Sequence, residues 1–190
     1  MTPLRRLLTT AFLFAALASP AARAQQSDKA TLCLACHGKQ GVPVNPAIPV
    51  IAGQNEGYLY LELRDYKLGN RKNVTMTAVA AGLSKPDMLA LAALFAGQQW
   101  PALNQKAPSP DQAKRAETAI NAAVCQSCHL ANWQGASTTP RVGGQRAGYL
   151  RATMAAFRDG SRANNPWMSA LLKTYSDADI AALAAYLAGH

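Results

Sequence analysis

The chain has 190 residues, of which 19 are Lys or Arg and 10 are Asp or Glu, giving a formal net charge of +9 at pH 7. An excess of basic residues is common among nucleic-acid-binding proteins. Here the charges are dispersed, and after residue 24 the only adjacent basic pairs are Arg71-Lys72 and Lys114-Arg115. We therefore expect no nucleic-acid partner.

The first 24 residues have the pattern of a secretory signal peptide. Arg5 and Arg6 precede a largely apolar run from Leu7 to Ala18, and Ala22-Arg23-Ala24 forms a small-x-small cleavage site. This run is too short to cross the hydrocarbon core of a membrane, because a membrane-spanning helix needs about 20 residues. We expect cleavage after Ala24 and export to the periplasm. The mature chain then has no apolar stretch long enough to span a membrane, and the loss of three arginines leaves a formal charge of +6.

Two halves of the chain repeat each other. Cys33-Leu34-Ala35-Cys36-His37 returns 92 residues later as Cys125-Gln126-Ser127-Cys128-His129. Further matches follow, at an offset of 91 residues through a middle block and of 92 beyond it. They include Pro49 and Pro140, Gly53 and Gly144, Gln54 and Gln145, Gly57 and Gly148, Tyr58 and Tyr149, Arg71 and Arg162, Met76 and Met168, and Ser84 and Ser176. Duplication of a whole small domain explains this pattern.

Each unit is predicted to be mainly helical. A first helix carries the cysteines, and the later helices are predicted over 57–67 and 86–96 in the first unit and over 147–158 and 177–188 in the second. Ser84 and Ser176 stand where an N-cap belongs, and Pro86 suits a first helical turn. Proline-containing residues 100–110 form the predicted linker. The sequence thus predicts an all-α protein with domains at 25–99 and 111–190.

All four cysteines lie in two C-x-x-C-H strings, a pattern typical of covalent haem attachment. Residues three and four apart share one face of a helix, so Cys33, Cys36 and His37 can project together. The two thiols would bond to the porphyrin and the imidazole would ligate the iron. Cys125, Cys128 and His129 stand in the same relation. The sequence predicts two haem c groups.

Zinc binding, dithiol redox chemistry and disulfide formation fit the cysteines less well. Zinc sites built from C-x-x-C pairs bring the second pair within about 20 residues, whereas these pairs are 92 residues apart. A redox-active dithiol would need a thioredoxin-like strand and helix. Structural disulfides would leave both trailing histidines without a role.

The sixth iron ligand decides between an electron carrier and a ligand-binding or peroxide-using haem protein. After the signal peptide the remaining methionines are Met76, Met88, Met154 and Met168. Met76 and Met168 are repeat partners, each 39 residues after its histidine and in a segment expected to be loop-like. Met88 and Met154 lie in apolar helical patterns and are predicted core residues. We expect Met76 and Met168 to ligate iron, with ordinary core packing as the alternative. His190, which is unpaired in the repeat, is expected to be a solvated terminal residue.

Other repeated residues suggest roles around the haems. The carbonyls of Pro49 and Pro140 are placed to accept the free ring N–H of each histidine; the alternative is that these prolines are only loop breakers. Tyr58 and Tyr149 are expected on the haems or at the domain interface. Trp167, which precedes Met168, stands where the first unit has Thr75.

These strings, each followed by P-x-x-x-G-Q-x-x-G-Y-L, a G-x-R element, a methionine and an alanine-rich helix, resemble the dihaem class I cytochromes c of the c-four type. The resemblance covers about residues 28 to 189. It implies two tandem class I cytochrome c domains related by pseudo-twofold symmetry, with axial pairs His37–Met76 and His129–Met168. It also implies a periplasmic protein, loosely held at the membrane in many relatives, which passes electrons from a quinol-oxidising complex to a terminal oxidase.

Three functions remain to be compared. The first is an electron carrier, and we expect its more basic second half to face an acidic partner. Residues 25–105 hold seven basic and five acidic residues, whereas 106–190 hold nine and five. The second is the cytochrome subunit of a periplasmic dehydrogenase, for example of the sulfide dehydrogenase type. The third is a small haem peroxidase, which the sequence disfavours because neither string has a spare acid–base group beside it. We expect no enzyme activity.

Overall fold

The computed structural model describes the backbone of residues 20–190 and the side chains of residues 28–190. Most of the predicted signal peptide, residues 1–19, lies outside the described residues. The described part contains nine α-helices and no β-strand. They are α1 (Pro20–His37), α2 (Glu56–Leu68), α3 (Val74–Ala81), α4 (Lys85–Ala96), α5 (Pro110–Ala123), α6 (Gln126–His129), α7 (Ala147–Asp159), α8 (Pro166–Leu172) and α9 (Asp177–Ala188). The all-α prediction is confirmed.

The last helix of each unit begins as the sequence predicts. Ser84 and Ser176 are the N-caps of α4 and α9, and each accepts a hydrogen bond from the backbone N–H of an aspartate three residues later, Asp87 or Asp179. Each aspartate bonds back to the N–H of its serine, which completes a capping box. The two helices therefore start at equivalent places in the repeat.

The cysteine-bearing helices differ between the units. In the first unit α1 continues without interruption through Cys33 to His37. In the second, Val124 adopts a left-handed conformation with φ of 51° and separates α5 from the short helix α6. A β-branched residue is strained in this region. The prediction of a single cysteine-bearing helix is thus wrong for the second unit. Its helix α5 begins at Pro110, the last residue of the predicted linker.

Each unit has its own hydrophobic core. In the first, α2 and α4 pack together and α1 packs on α4, with Met88, Leu91 and Phe95 at the centre. In the second, α9 packs against α5 and α7, and Met154 and Leu183 are buried there. Met88 and Met154 are thus core residues, as predicted. Burial of such side chains contributes about 1.5–3 kcal/mol each.

The two units meet through paired contacts that follow the repeat. The N–H of Tyr58 donates to the carbonyl of Ser137 at 3.1 Å, and the N–H of Tyr149 donates to the carbonyl of Pro46 at 3.0 Å. The four residues are partners at an offset of 91, so each contact is the counterpart of the other. Such reciprocal contacts, in which a residue pair between two units occurs a second time with the roles of the units exchanged, are typical of twofold symmetry. The units therefore lie across a pseudo-twofold axis.

Within residues 20–190 no single helix is long and apolar enough to cross a membrane. Only the pair α3 and α4, bent by 119° where they join, reaches that length and composition together.

Candidate haem sites

The first attachment string lies at the C-terminal end of α1. Cys33 is half-buried and Cys36 is exposed, and both are free thiols. The His37 side chain is buried, and its Nδ1 lies 2.9 Å from the carbonyl oxygen of Pro49. Because a carbonyl accepts hydrogen bonds, Nδ1 carries the proton and donates it. Nε2 then keeps its lone pair, which is the state that a metal requires.

The second string repeats this geometry. Nδ1 of His129 lies 3.0 Å from the carbonyl oxygen of Pro140. Burial lowers the pKa of His129 and of His37 below the ordinary value, more than the bond to the proline carbonyl raises it. Both imidazoles therefore stay neutral near pH 7. The contact predicted for Pro49 and Pro140 is confirmed.

The thiols of the two strings are also alike. Burial raises the pKa of Cys33 and of Cys125, so that both are protonated near neutral pH. Cys128, like Cys36, is exposed and free. No disulfide joins these four cysteines, which leaves two thiols in each string available for thioether bonds.

Met76 and Met168 do not lie in loops, so that part of the prediction is wrong. Met76 lies in the first turn of α3 and Met168 in the first turn of α8. Asn73 and Asn165 cap these helices, and each side-chain oxygen accepts the N–H of the methionine, at 2.9 and 3.2 Å. Asn at an N-cap is a signal that the sequence carried. The helices were missed because they have only 8 and 7 residues.

One continuous cavity of about 1430 Å³ contains both strings. His37 and His129 line it, and so do Met76 and Met168, from helices other than those of the histidines. The other lining side chains are mainly apolar and come from both units. The structure thus brings all the predicted haem residues to the lining of one cavity.

Arginine and tyrosine side chains of the two units meet at the domain interface. The hydroxyl of Tyr149 accepts from Arg71 at 3.1 Å, and that of Tyr58 accepts from Arg162 at 3.4 Å. The tyrosines therefore lie at the interface. Each guanidinium also lies over an aromatic ring of its own unit, Tyr66 at 4.8 Å or Phe157 at 4.3 Å. The repeated G-x-R element was the only sequence signal for these arginines.

Glu62 breaks the symmetry of this network. Its carboxylate binds Arg71 at 2.7 Å and also binds Arg162 of the other unit. The repeat partner of Glu62 is Thr153, so the second unit supplies no matching acid. Burial would raise the pKa of Tyr149, but the guanidiniums of Arg71 and Arg162 outweigh it and lower that pKa. One carboxylate of the first unit thus joins two guanidiniums, one from each unit, at the interface.

Comparison with known proteins identifies the family. Cytochrome c4 of Pseudomonas aeruginosa is 34% identical to this chain over an alignment 195 positions long, which covers 96% of this chain and 95% of that protein. The chain belongs to the cytochrome c4 family. The crystal structure of reduced cytochrome c4 from Pseudomonas stutzeri superposes with a TM-score of 0.77 at 32% identity, covering 88% of this chain and 97% of that one.

Two further matches extend the comparison. The thiosulfate dehydrogenase electron acceptor of Thiomonas intermedia is 34% identical over 98% of this chain and 91% of its own length. The profile of the family described as cytochrome c oxidase, cbb3-type, subunit III matches residues 111–187. Both are similar to this chain, and the second match falls within the second unit.

Membership of the cytochrome c4 family makes this chain a dihaem c-type cytochrome of two class I domains that transfers electrons and is not an enzyme. The residues present fit haem c. Each unit offers two free thiols, an imidazole whose Nδ1 is hydrogen-bonded to a proline carbonyl, and a methionine on the same cavity. His37 is buried and His129 is half-buried. Relatives in this family are periplasmic.

Proposed function

We propose that this protein carries electrons between respiratory-chain components, from a quinol-oxidising complex toward a terminal oxidase, after export to the periplasm and cleavage behind Ala24. The observation that supports it best is the single cavity lined by both attachment strings and both repeat-related methionines. Haem c supplies a one-electron ferric–ferrous couple. Two such sites in one cavity suit a protein that receives and donates electrons one at a time.

Each residue of the site has a defined part in this proposal. Cys33 and Cys36 would hold the first haem, and Cys125 and Cys128 would hold the second. His37 and Met76 would ligate the first iron, while His129 and Met168 would ligate the second. A thioether ligand beside an imidazole would favour ferrous iron and raise the potential. The domains would run over 25–99 and 111–190, with 100–110 as the linker.

A second candidate partner is a periplasmic dehydrogenase, to which the protein would serve as electron acceptor or cytochrome subunit. The similarity to the thiosulfate dehydrogenase electron acceptor of Thiomonas intermedia favours it. Both candidates use the same two haem sites and differ only in what docks beside them. Peripheral association with the membrane would suit an oxidase partner.

Oxidation of the reduced protein by a purified terminal oxidase tests the first candidate. We expect fast electron transfer to the oxidase that slows as salt is added, because an acidic partner would dock on the more basic second unit. Lys173→Glu, at the exposed end of α8, should slow exchange several-fold more than Lys85→Glu on the first unit. Exchange that is insensitive to salt and to both variants contradicts this docking. Reduction by a thiosulfate-oxidising dehydrogenase without oxidation by the oxidase would favour the second candidate.

A further inference from the structure

The peptide group that joins Pro49 to Val50 is hydrogen-bonded at both ends. Its carbonyl oxygen lies 2.9 Å from Nδ1 of His37. Its N–H, which belongs to Val50, donates to Oε1 of Gln145 at 2.8 Å. Gln145 is part of the second unit. The histidine of the first unit is therefore linked through a single peptide group to a side chain of the other unit.

The same arrangement occurs in reverse on the other side of the interface. The carbonyl of Pro140 lies 3.0 Å from Nδ1 of His129. The N–H of that peptide group, on Arg141, donates to Oε1 of Gln54 in the first unit at 2.8 Å. Gln54 and Gln145 are repeat partners at an offset of 91 residues. The two links thus cross between the units.

Both glutamine side chains are fixed in place. Gln54 is 3% exposed and Gln145 is 2% exposed. Nε2 of Gln54 donates to the carbonyl of Arg141 at 2.8 Å, and Nε2 of Gln145 donates to that of Val50 at 3.0 Å. Each glutamine amide donates to the carbonyl and accepts from the N–H of one residue in the other unit, and this pair of bonds fixes which way the amide faces. Each Oε1 therefore stays on the linking peptide group.

A hydrogen bond to the N–H of a peptide group polarises that group and makes its carbonyl oxygen a better acceptor. A better acceptor draws the Nδ1 proton of the histidine more strongly and makes the imidazole a more basic ligand. A more basic ligand favours ferric iron, which lowers the reduction potential.

We propose that Gln145 is a positioning residue that lowers the potential of the haem held by His37, and that Gln54 does the same for the haem held by His129. Each unit thereby tunes the haem of the other, through the interface and without contact to the iron. The proposal rests on ligation of the two irons by His37 and His129, as stated under Proposed function.

Gln145→Met and Gln54→Met test it, because methionine keeps the length of the side chain and removes the acceptor. Both haem-loaded variants are titrated while NMR follows the methyl signal of each axial methionine, assigned with Met76→Ala and Met168→Ala. We expect Gln145→Met to raise the potential of the first haem more than that of the second. Gln54→Met should do the opposite. Asn55→Ala is the control, since the Asn55 side chain donates to the carbonyls of Gln134 and Thr139 across the same interface but contacts neither linking peptide. The backbone N–H of residue 55, which donates to Oε1 of Gln54 at 2.8 Å, is kept in this variant.

Gln145→Glu and Gln54→Glu give a second reading, also if a methionine variant does not take up haem. A carboxylate is a stronger acceptor than an amide, so each should lower the potential of the opposite haem most. Three results would overturn the proposal: potentials that shift equally at both haems, potentials that shift only at the haem of the mutated unit, and shifts no larger than those of Asn55→Ala. Failure of the ligand assignment gives another result, because any methyl signal that the haem shifts would then persist in Met76→Ala and in Met168→Ala.

Discussion

Arg162 of the second unit forms a buried ion pair with Glu62 of the first, in which the two side chains are only 7% and 12% exposed. The same carboxylate also binds Arg71 of its own unit at 2.7 Å. One acid thus neutralises part of the charge of two guanidiniums that symmetry brings together. Removing one partner of a buried pair is costly because the remaining charge stays buried.

Glu62→Gln should therefore destabilise the haem-loaded protein by about 3 kcal/mol. Guanidinium denaturation followed by far-UV circular dichroism measures this. Glu117→Gln, at an exposed position on α5, is the control and should change the free energy of unfolding by no more than about 0.5 kcal/mol. Equal stability of the two variants would show that the bridging carboxylate does not hold the units together.

The close approach of the units predicts the effect of two glycine substitutions. A Cβ added at Gly57 would lie 2.9 Å from the carbonyl oxygen of Ser137, and one at Gly148 would lie 2.9 Å from that of Pro46. Gly57→Ala and Gly148→Ala should each cost about 1–3 kcal/mol through overpacking, more than the gain in helix propensity returns. Gly82→Ala is the control, because its nearest contact is at 3.9 Å. Thermal unfolding that ranks Gly82→Ala with the other two would contradict the observed interface.

Asp87 gives a pH dependence of stability. Hydrogen bonds from Lys29 and then from Ser84 lower its pKa from 3.8 to about 2. A carboxyl with a lowered pKa stabilises the fold above its unfolded value, and this contribution disappears as the pH falls from about 4 to about 2.

Asp87→Asn should accordingly lower the free energy of unfolding by about 0.5–1 kcal/mol at pH 6, because it removes the negative charge from the first turn of α4 and the ion pair with Lys29. Its free energy of unfolding should approach that of the wild type near pH 2. Denaturation at a series of pH values measures the difference. Asp111→Asn, in the exposed first turn of α5, serves as the control. A difference that grows on acidification would reverse the sign and disprove this account of Asp87.

The sequence was sufficient for the features that local chemistry determines. The attachment strings, the N-caps at Ser84 and Ser176, and the core methionines follow from spacing and residue type alone. The contact of each histidine with a proline carbonyl was also predictable, because both halves repeat it. The helices α3 and α8 were missed since they are too short for a periodic pattern to develop.

The interface was beyond sequence reasoning for a different reason. Gln54 and Gln145 repeat, which marks them as important, but nothing in the sequence says that each bonds to the opposite unit. Glu62 has no acidic repeat partner, so the duplication gave no signal for it. The contact of Glu62 with Arg162 of the other unit can be recognised only in the folded structure, where the two units pack around the pseudo-twofold axis.

The central claim is that Met76 and Met168 complete the coordination of two electron-transferring haems, and a redox titration of Met76→Ala, Met168→Ala and the double variant tests it most directly. Met88→Leu and Met154→Leu, which alter buried core methionines, are the controls. We predict that each alanine variant lowers the potential of one haem and removes that haem's share of the methionine-to-iron charge-transfer absorption. The double variant should remove all of this absorption, and the controls should keep it. Unchanged potentials and absorption in the alanine variants would contradict the claim.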